Sequence, residues 1–303
     1  MKPLQTGQEL NLKPRSSVRA IFEKLAETGF LLCAVFSVVS LLIIAVFIIG
    51  QGMPGMLKIG VGKFLTGQVW QPGAEVFGIL PMILGTIYAT LGATLIGVPI
   101  GILTAVFISE IAPSWLSGKV RAAVDLLAAI PSVVYGFFGL IIFVPMINTL
   151  TNGAGGDSLL AAILILSIMI LPTITSITET SLRAVPDVYR EGSLALGATH
   201  IQTIFKVTIP AAKSGIFSAV ILGVGRAVGE AMAVILVSGN APQIPGSIFD
   251  RIRTMTANIA LEMGYASGLH TQALFATGVV LFLFIMLLNV ILNIVKRSSD
   301  KLN

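Results

Sequence analysis

The chain of 303 residues is 55% hydrophobic and 11% charged, with 31 Gly, 14 Pro and one Cys, and its mean hydropathy is +0.95. Soluble domains carry about 25% charged residues, so this composition cannot coat a water-facing surface and a soluble enzyme is excluded. The net charge of +5 comes without a basic stripe interleaved with aromatics, which argues against nucleic acid as a partner and for basic residues that set membrane topology.

Residues 1–28 form a basic leader. In it Val18, Ile21, Phe22 and Leu25 recur at helical spacing while Arg15, Arg19, Glu23 and Lys24 take the other face, the pattern of a helix lying on the membrane surface. Six apolar runs follow, at about 30–50, 79–108, 122–147, 159–177, 215–237 and 273–295. Each is long enough to cross a hydrocarbon core of ~30 Å in contact with membrane lipid. No A-x-A-like site follows the first run, so it reads as an uncleaved anchor. Cys33 lies within it and has no disulfide partner. Residues 51–78 read as a Gly-rich outer loop with Trp70 as an interfacial anchor. Pro99, Pro131, Pro145 and Pro172 bend the apolar runs they occupy. Gly97-x-x-x-Gly101 and Gly225-x-x-x-Gly229 have the spacing for close helix packing. Asp125, near the start of the third run, reads as a charge at a helix N-terminus. The membrane domain thus covers 29–297, with a short tail at 298–303.

The longest loop, 179–214, is patterned. Pro186 precedes helix-forming residues up to Leu196, and Gly197 is placed to end that helix in the left-handed conformation. Thr199 and Gln202 have capping-box spacing. Ile201, Ile204 and Phe205 then share a face before Pro210 stops a second helix. A helix, turn and short helix with an exposed apolar edge seek a partner.

Orientation follows from Lys and Arg. Lys58, Lys63, Arg251 and Arg253 fall on one side and Arg226 inside the fifth run, which leaves 14 of the 19 basic residues on the side of both termini. Both termini are therefore expected in the cytoplasm. Several chemistries are absent. Gly62-Lys63 and Gly118-Lys119 lack the glycine that a phosphate loop requires upstream, so ATP work needs another subunit. Gly50-x-Gly52-x-x-Gly55 matches a dinucleotide fingerprint as a string, but no strand precedes it. His200 and His270 fall on opposite sides, so no metal and no cofactor is expected in this chain.

Arg226 and Glu230 are charges in the middle of the fifth run. A mid-bilayer charge costs about 2.5–3.5 kcal/mol on insertion scales, so both should face protein or a water-filled path, and each other across an i, i+4 helical face. One reading is an ion pair that pins helices together. The other makes Arg226 a permanently charged fork for an oxyanion, oriented by Glu230.

Two runs then carry a resemblance. Glu191-Gly-Ser-Leu-Ala-Leu-Gly197-Ala198, with Val207-Thr-Ile-Pro210 and Gly215-Ile216, resembles the EAA loop of ABC importer permeases, with Gly192 and Ser193 where that loop has alanines. Arg226-Ala-Val-Gly-Glu230-Ala-Met-Ala-Val, followed by Gly239-Asn240, is similar to the fifth-span signature of phosphate importer permeases of the PstC type. Trp70-x-Pro72 with Phe77-Gly-x-Leu-Pro81, Val98-Pro-Ile-Gly101 leading to Glu110-Ile-Ala-Pro113, and Ile130-Pro-Ser-Val-Val-Tyr-Gly136 agree with it. The resemblance spans about Arg19 to Val295.

It implies an all-α membrane protein of six transmembrane helices with the type I ABC importer permease fold, an N-terminal interfacial helix and a cytoplasmic coupling helix, set in a bacterial inner membrane. It also implies a heterodimer with a second homologous permease, two ATP-binding subunits that hold ATP and Mg, and an extracytoplasmic phosphate-binding protein. Arg226 and Glu230 would line the substrate pathway, and Glu191, Gly197, Ala198, Thr199, Ile201 and Phe205 would couple to the ATPase. Alternatives are a permease for another oxyanion, the sister phosphate permease, an ATP-independent secondary transporter using Arg226 and Glu230 for substrate and proton, and a relay of phosphate status.

Overall fold

The computed structural model describes residues 17–153 and 155–301. The chain divides into two units, the first ending at Ile48 and the second starting at Ile49. Helix α1 runs unbroken over Ser17–Ile59. The surface helix expected in the leader is therefore continuous with the first apolar run, and residues 1–16 lie outside the described part. Phe30, Phe36 and Leu41 on α1 are exposed apolar side chains, as lipid contact requires.

The stretch expected as a Gly-rich loop is largely helical. The last turns of α1 pass through Gly52 and Gly55 because these glycines face α14 (Leu269–Lys301). A Cβ at Gly52 would come within 2.7 Å of the Ala276 backbone nitrogen, so close packing overrides the low helix propensity of glycine. Helix α2 (Val61–Thr66) and a ribbon of β1 (Trp70–Gln71) against β2 (Val76–Phe77) follow, paired antiparallel with Trp70 opposite Phe77. Trp70 is only 7% exposed, so it is a core residue of this end and not a surface anchor.

Helix α3 (Leu80–Val106) continues through a wide π turn at Phe107–Ile111. Helix α4 (Ser114–Ala129) then ends before Pro131, with Ile130 extended as the residue before a proline prefers. The third crossing is thereby displaced from 122–147 to Ser132–Leu150, built from α5 (Ser132–Phe138), a π turn and α6 (Val144–Leu150). Asp125 falls late in α4 and is exposed, so the N-terminal charge expected of it does not arise. Helix α7 (Leu159–Arg183) is capped by Ser158, whose hydroxyl accepts the Ala161 N–H. It packs on α3, α4 and α11 (Lys213–Gly229) and is the most buried of the crossing helices. Gly97 and Gly101 make the α3–α7 approach possible: a Cβ at Gly97 would meet Ile170 at 2.7 Å. Gly225 and Gly229, by contrast, face open space within this chain.

Helices α8 (Asp187–Ala195), α9 (His200–Thr203) and α10 (Ile209–Ala211) form the patterned segment before α11. Pro210 does not stop the second helix. A π turn at Ile204–Thr208 opens the coil ahead of it, which accommodates the ring and the missing N–H, and the chain turns only at Ala212. The same device precedes Pro145, whereas the π turn before Pro113 ends the helix at an extended Ala112. Helices α12 (Met232–Val237) and α13 (Met255–Glu262) lie between α11 and α14. Among the described residues, five helices are long and apolar enough to cross a membrane, and His200–Ala211 with Lys213–Gly229 qualifies as a pair bent by 69°. The main core joins α7 to Ala89 and Ala93 of α3, Tyr135 of α5 and Ala233, Val234 and Val237 of α12.

Candidate substrate site and coupling surface

The fifth crossing is broken where its charges sit. Helix α11 stops at Gly229 and Glu230 is extended, with φ −74° and ψ 127°. The i, i+4 face expected for Arg226 and Glu230 therefore does not exist, and they form no ion pair. Instead the Glu230 carboxylate accepts the Ala233 N–H at 3.1 Å, covering a free amide at the start of α12. The Glu230 carbonyl accepts the Thr256 hydroxyl at 2.8 Å. Arg226 occupies the last turn of α11, where its charge complements the helix dipole. Its side chain is exposed, and among the described residues no carboxylate pairs with it. Tyr135 of α5 lies within its electrostatic reach, and the Tyr135 hydroxyl donates to the Leu127 carbonyl at 2.7 Å. The break thus leaves the Arg226 guanidinium exposed while the neighbouring carboxylate holds the backbone.

Beyond the break, Gly239 and Asn240 both take left-handed backbone, with φ +72° and +52°. They turn the chain so that the Asn240 carbonyl accepts Arg253 Nε–H at 2.8 Å. Arg253 also donates to Glu262 at 2.6 Å and to Asn258 at 3.0 Å. The Glu262 carboxylate, 8% exposed, accepts the Trp70 indole N–H at 2.9 Å and pairs with His270 Nε2 at 2.8 Å. This cluster fastens the ribbon, α13 and α14 around one buried carboxylate.

The 179–214 segment has the local structure its sequence specifies. Helix α8 is closed by Gly197 just past its end, φ +87°, with the Ala198 N–H on the Ser193 carbonyl and the Gly197 N–H on the Leu194 carbonyl, the pair of bonds of a Schellman cap. Thr199 and Gln202 complete the capping box of α9. Val188, Tyr189, Leu196, Ile201 and Phe205 are exposed, and Leu196 is 91% so. Ile204, expected on the same edge, is fully buried with Leu182 and Val185. Glu191 is exposed on α8. A groove of about 570 Å³ between α8 and α9 is lined by Val188, Tyr189, Leu196, Ala198 and Gln202.

Residues 97–301 match the family described as binding-protein-dependent transport system inner membrane component. The chain belongs to that family. It is 42% identical over 266 residues to the probable ABC transporter permease protein YqgH of Bacillus subtilis, covering 84% of this chain and 86% of that protein. It is 41% identical to the phosphate transport system permease protein PstC of Mesorhizobium japonicum, covering 75% of each. For PstC of Haemophilus influenzae the identity is 38%, over 73% of this chain and 76% of that one. Among solved structures, an ABC transporter involved in alginate import aligns with a TM-score of 0.62 at 16% identity, covering 92% of this chain and 99% of that one. The inward-facing MetNI methionine ABC transporter aligns at 0.56 and 22% identity, covering 76% and 99%. The permease fold is thus shared with type I ABC importers, and the chain is a multi-pass membrane subunit.

Other polar groups of this permease escaped sequence reasoning. Glu179, 4% exposed at its side chain, accepts Arg183 Nε–H at 2.8 Å and an Arg121 N–H at 3.2 Å, joining α7 to α4. Glu110 pairs with Arg190 at 2.8 Å. The hydrogen bond from Arg190 to Glu110 raises the arginine pKa above its ordinary value, against the burial that lowers it, with the Glu110 and Asp187 charges adding to the rise. Glu110 stood inside a motif match, but nothing local announced its partner 80 residues away.

Proposed function

We propose that this permease carries inorganic phosphate into the cell by alternating access, as the PstC-type membrane subunit of an ATP-driven importer. The observation that carries the reading is the exposed, unpaired Arg226 guanidinium at the break of the fifth crossing, in a chain whose relatives are phosphate transport permeases. A fixed planar cation suits a tetrahedral oxyanion, which it can hold through two parallel hydrogen bonds. Glu230, by holding the start of α12, keeps the break open and Arg226 in place.

In this reading both termini lie in the cytoplasm of a bacterial cell, a second permease covers the exposed side of α11, and a phosphate-binding protein delivers substrate from outside. The exposed apolar edge of Tyr189, Leu196, Ile201 and Phe205 docks on one of two ATPase subunits, which hold ATP and Mg. Glu191, Gly197, Ala198 and Thr199 shape that edge. The relatives bearing the PstC name favour this subunit over its sister.

The test is uptake of labelled phosphate by cells in which Arg226→Ala replaces the native chain. Loss of uptake with a normally inserted and assembled complex is expected, and retained uptake refutes the role of Arg226. Sulfate or molybdate displacing phosphate as well as arsenate does would refute phosphate selectivity.

A further inference from the structure

Helix α8 buries no residue of its own, so its hold on the membrane helices is polar. Arg190 supplies much of it. Its Nη2 donates to Glu110 Oε1 at 2.8 Å and to the Leu182 carbonyl at 2.8 Å, its Nε to Glu110 Oε2 at 3.3 Å, and its Nη1 to the Val185 carbonyl at 2.7 Å and to Asp187 at 3.1 Å. One guanidinium thus ties α8 to the C-terminal carbonyls of α7 and to the π turn that ends α3. The Glu110 side chain is 6% exposed and that of Arg190 20%, so separating them would strand a buried charge. A two-pronged fork on a carboxylate resists rotation as well as separation, which a lysine ammonium would not. The receiving turn is a π turn, Phe107–Ile111, a geometry that recurs at functional sites. The Ser109 hydroxyl in the same turn is buried without a partner. Helix α3 in turn packs on α7 and on α11, which bears Arg226.

We propose that the Arg190–Glu110 pair is the strut that passes displacement of α8 to the end of α3, making both positioning residues for transport. The proposal rests on the ATPase-docking role given to α8 above. With the pair intact, α8 cannot shift while the end of α3 stays still. With it broken, the ATPase can move α8 and leave α3 behind.

The experiment uses the complete importer in proteoliposomes and reads three quantities: ATPase subunits retained, ATP hydrolysed, and phosphate imported per ATP. Glu110→Gln is expected to retain the ATPase and its hydrolysis while phosphate per ATP falls about tenfold or more. Arg190→Lys should fall with it, because the charge remains and the fork is lost. Glu110→Asp keeps the charge but shortens the reach by one methylene, so its phosphate per ATP should fall between wild type and Glu110→Gln. Wild-type phosphate per ATP in Glu110→Gln would overturn the strut alone. A wild-type chain that retains no ATPase would overturn the docking role and the strut with it. If Glu110→Gln does not assemble, Arg190→Lys decides, since it keeps the charge and loses the fork: a fall of about tenfold in phosphate per ATP with the ATPase retained upholds the strut, and wild-type phosphate per ATP overturns it.

Discussion

Removing Arg253 should destabilise the permease through a carboxylate it does not share an element with. In Arg253→Ala the Glu262 side chain, 8% exposed, loses its shortest donor at 2.6 Å and keeps only the Trp70 indole and His270. The Asn240 carbonyl and Asn258 lose their arginine donor at the same time. Breaking one side of a buried ion pair costs about 3–5 kcal/mol, because the remaining carboxylate stays in the protein without its permanently charged partner. Glu262→Ala should cost a similar amount by stranding Arg253, which is 15% exposed. The double variant strands neither charge, so it should be about 2–4 kcal/mol more stable than the two single losses added together. The assay is denaturation in mixed micelles followed by Trp70 fluorescence, with Trp115→Phe removing the other of the two tryptophans. Trp70 donates directly to Glu262, so its emission reports the cluster itself. A single-variant loss under about 0.5 kcal/mol, or strict additivity of the two, would refute the view that this cluster is held by mutual charge compensation.

Two further outcomes follow from backbone geometry. Gly197→Ala forces a Cβ into left-handed backbone at φ +87° and should cost about 1 kcal/mol, visible as faster hydrogen exchange at the C-terminal amides of α8 and the start of α9; unchanged exchange there would contradict it. Gly97→Val pushes a branched side chain against Ile170 and the Ser167 carbonyl, which lie 2.7 and 3.0 Å from the first added carbon, and should cost about 1–3 kcal/mol or more by parting α3 from α7. A lower yield of folded protein in detergent is the readout.

Where structure is decided by neighbours in sequence, it was readable. Gly197, Thr199 and Gln202 act within a single turn, and the Schellman cap and capping box stand where spacing placed them. Four of the apolar runs, at about 30–50, 79–108, 159–177 and 273–295, fall within long apolar helices. What failed depends on distant contacts. Trp70 and Glu262 are 192 residues apart, so a tryptophan read as a surface anchor is in fact core. Gly52 and Gly55 suggested a loop until α14 was seen to need their missing side chains. Pro131 announced a bend, but only the structure divides α4 from α5 there and moves the third crossing along the chain. The pairing inferred for Arg226 and Glu230 assumed a continuous helix, and the helix ends one residue before Glu230.

That last difference alters what the fifth crossing can do. A closed Arg226–Glu230 pair would have neutralised the charge at its source and left little for a substrate to meet. With Glu230 occupied at the start of α12, Arg226 is exposed on a helix whose nearby Gly225 and Gly229 face open space. An uncompensated charge at mid-bilayer costs about 2.5–3.5 kcal/mol or more if it meets lipid, whereas Arg190 and Arg253 are paired inside this chain. Among the described residues no carboxylate pairs with Arg226, so in the proposed assembly its compensation comes from a water path, an anion or a second subunit. Small residues beside it permit close approach by another backbone. In the proposed function, the feature that leaves Arg226 uncompensated is thus the one that receives the anion.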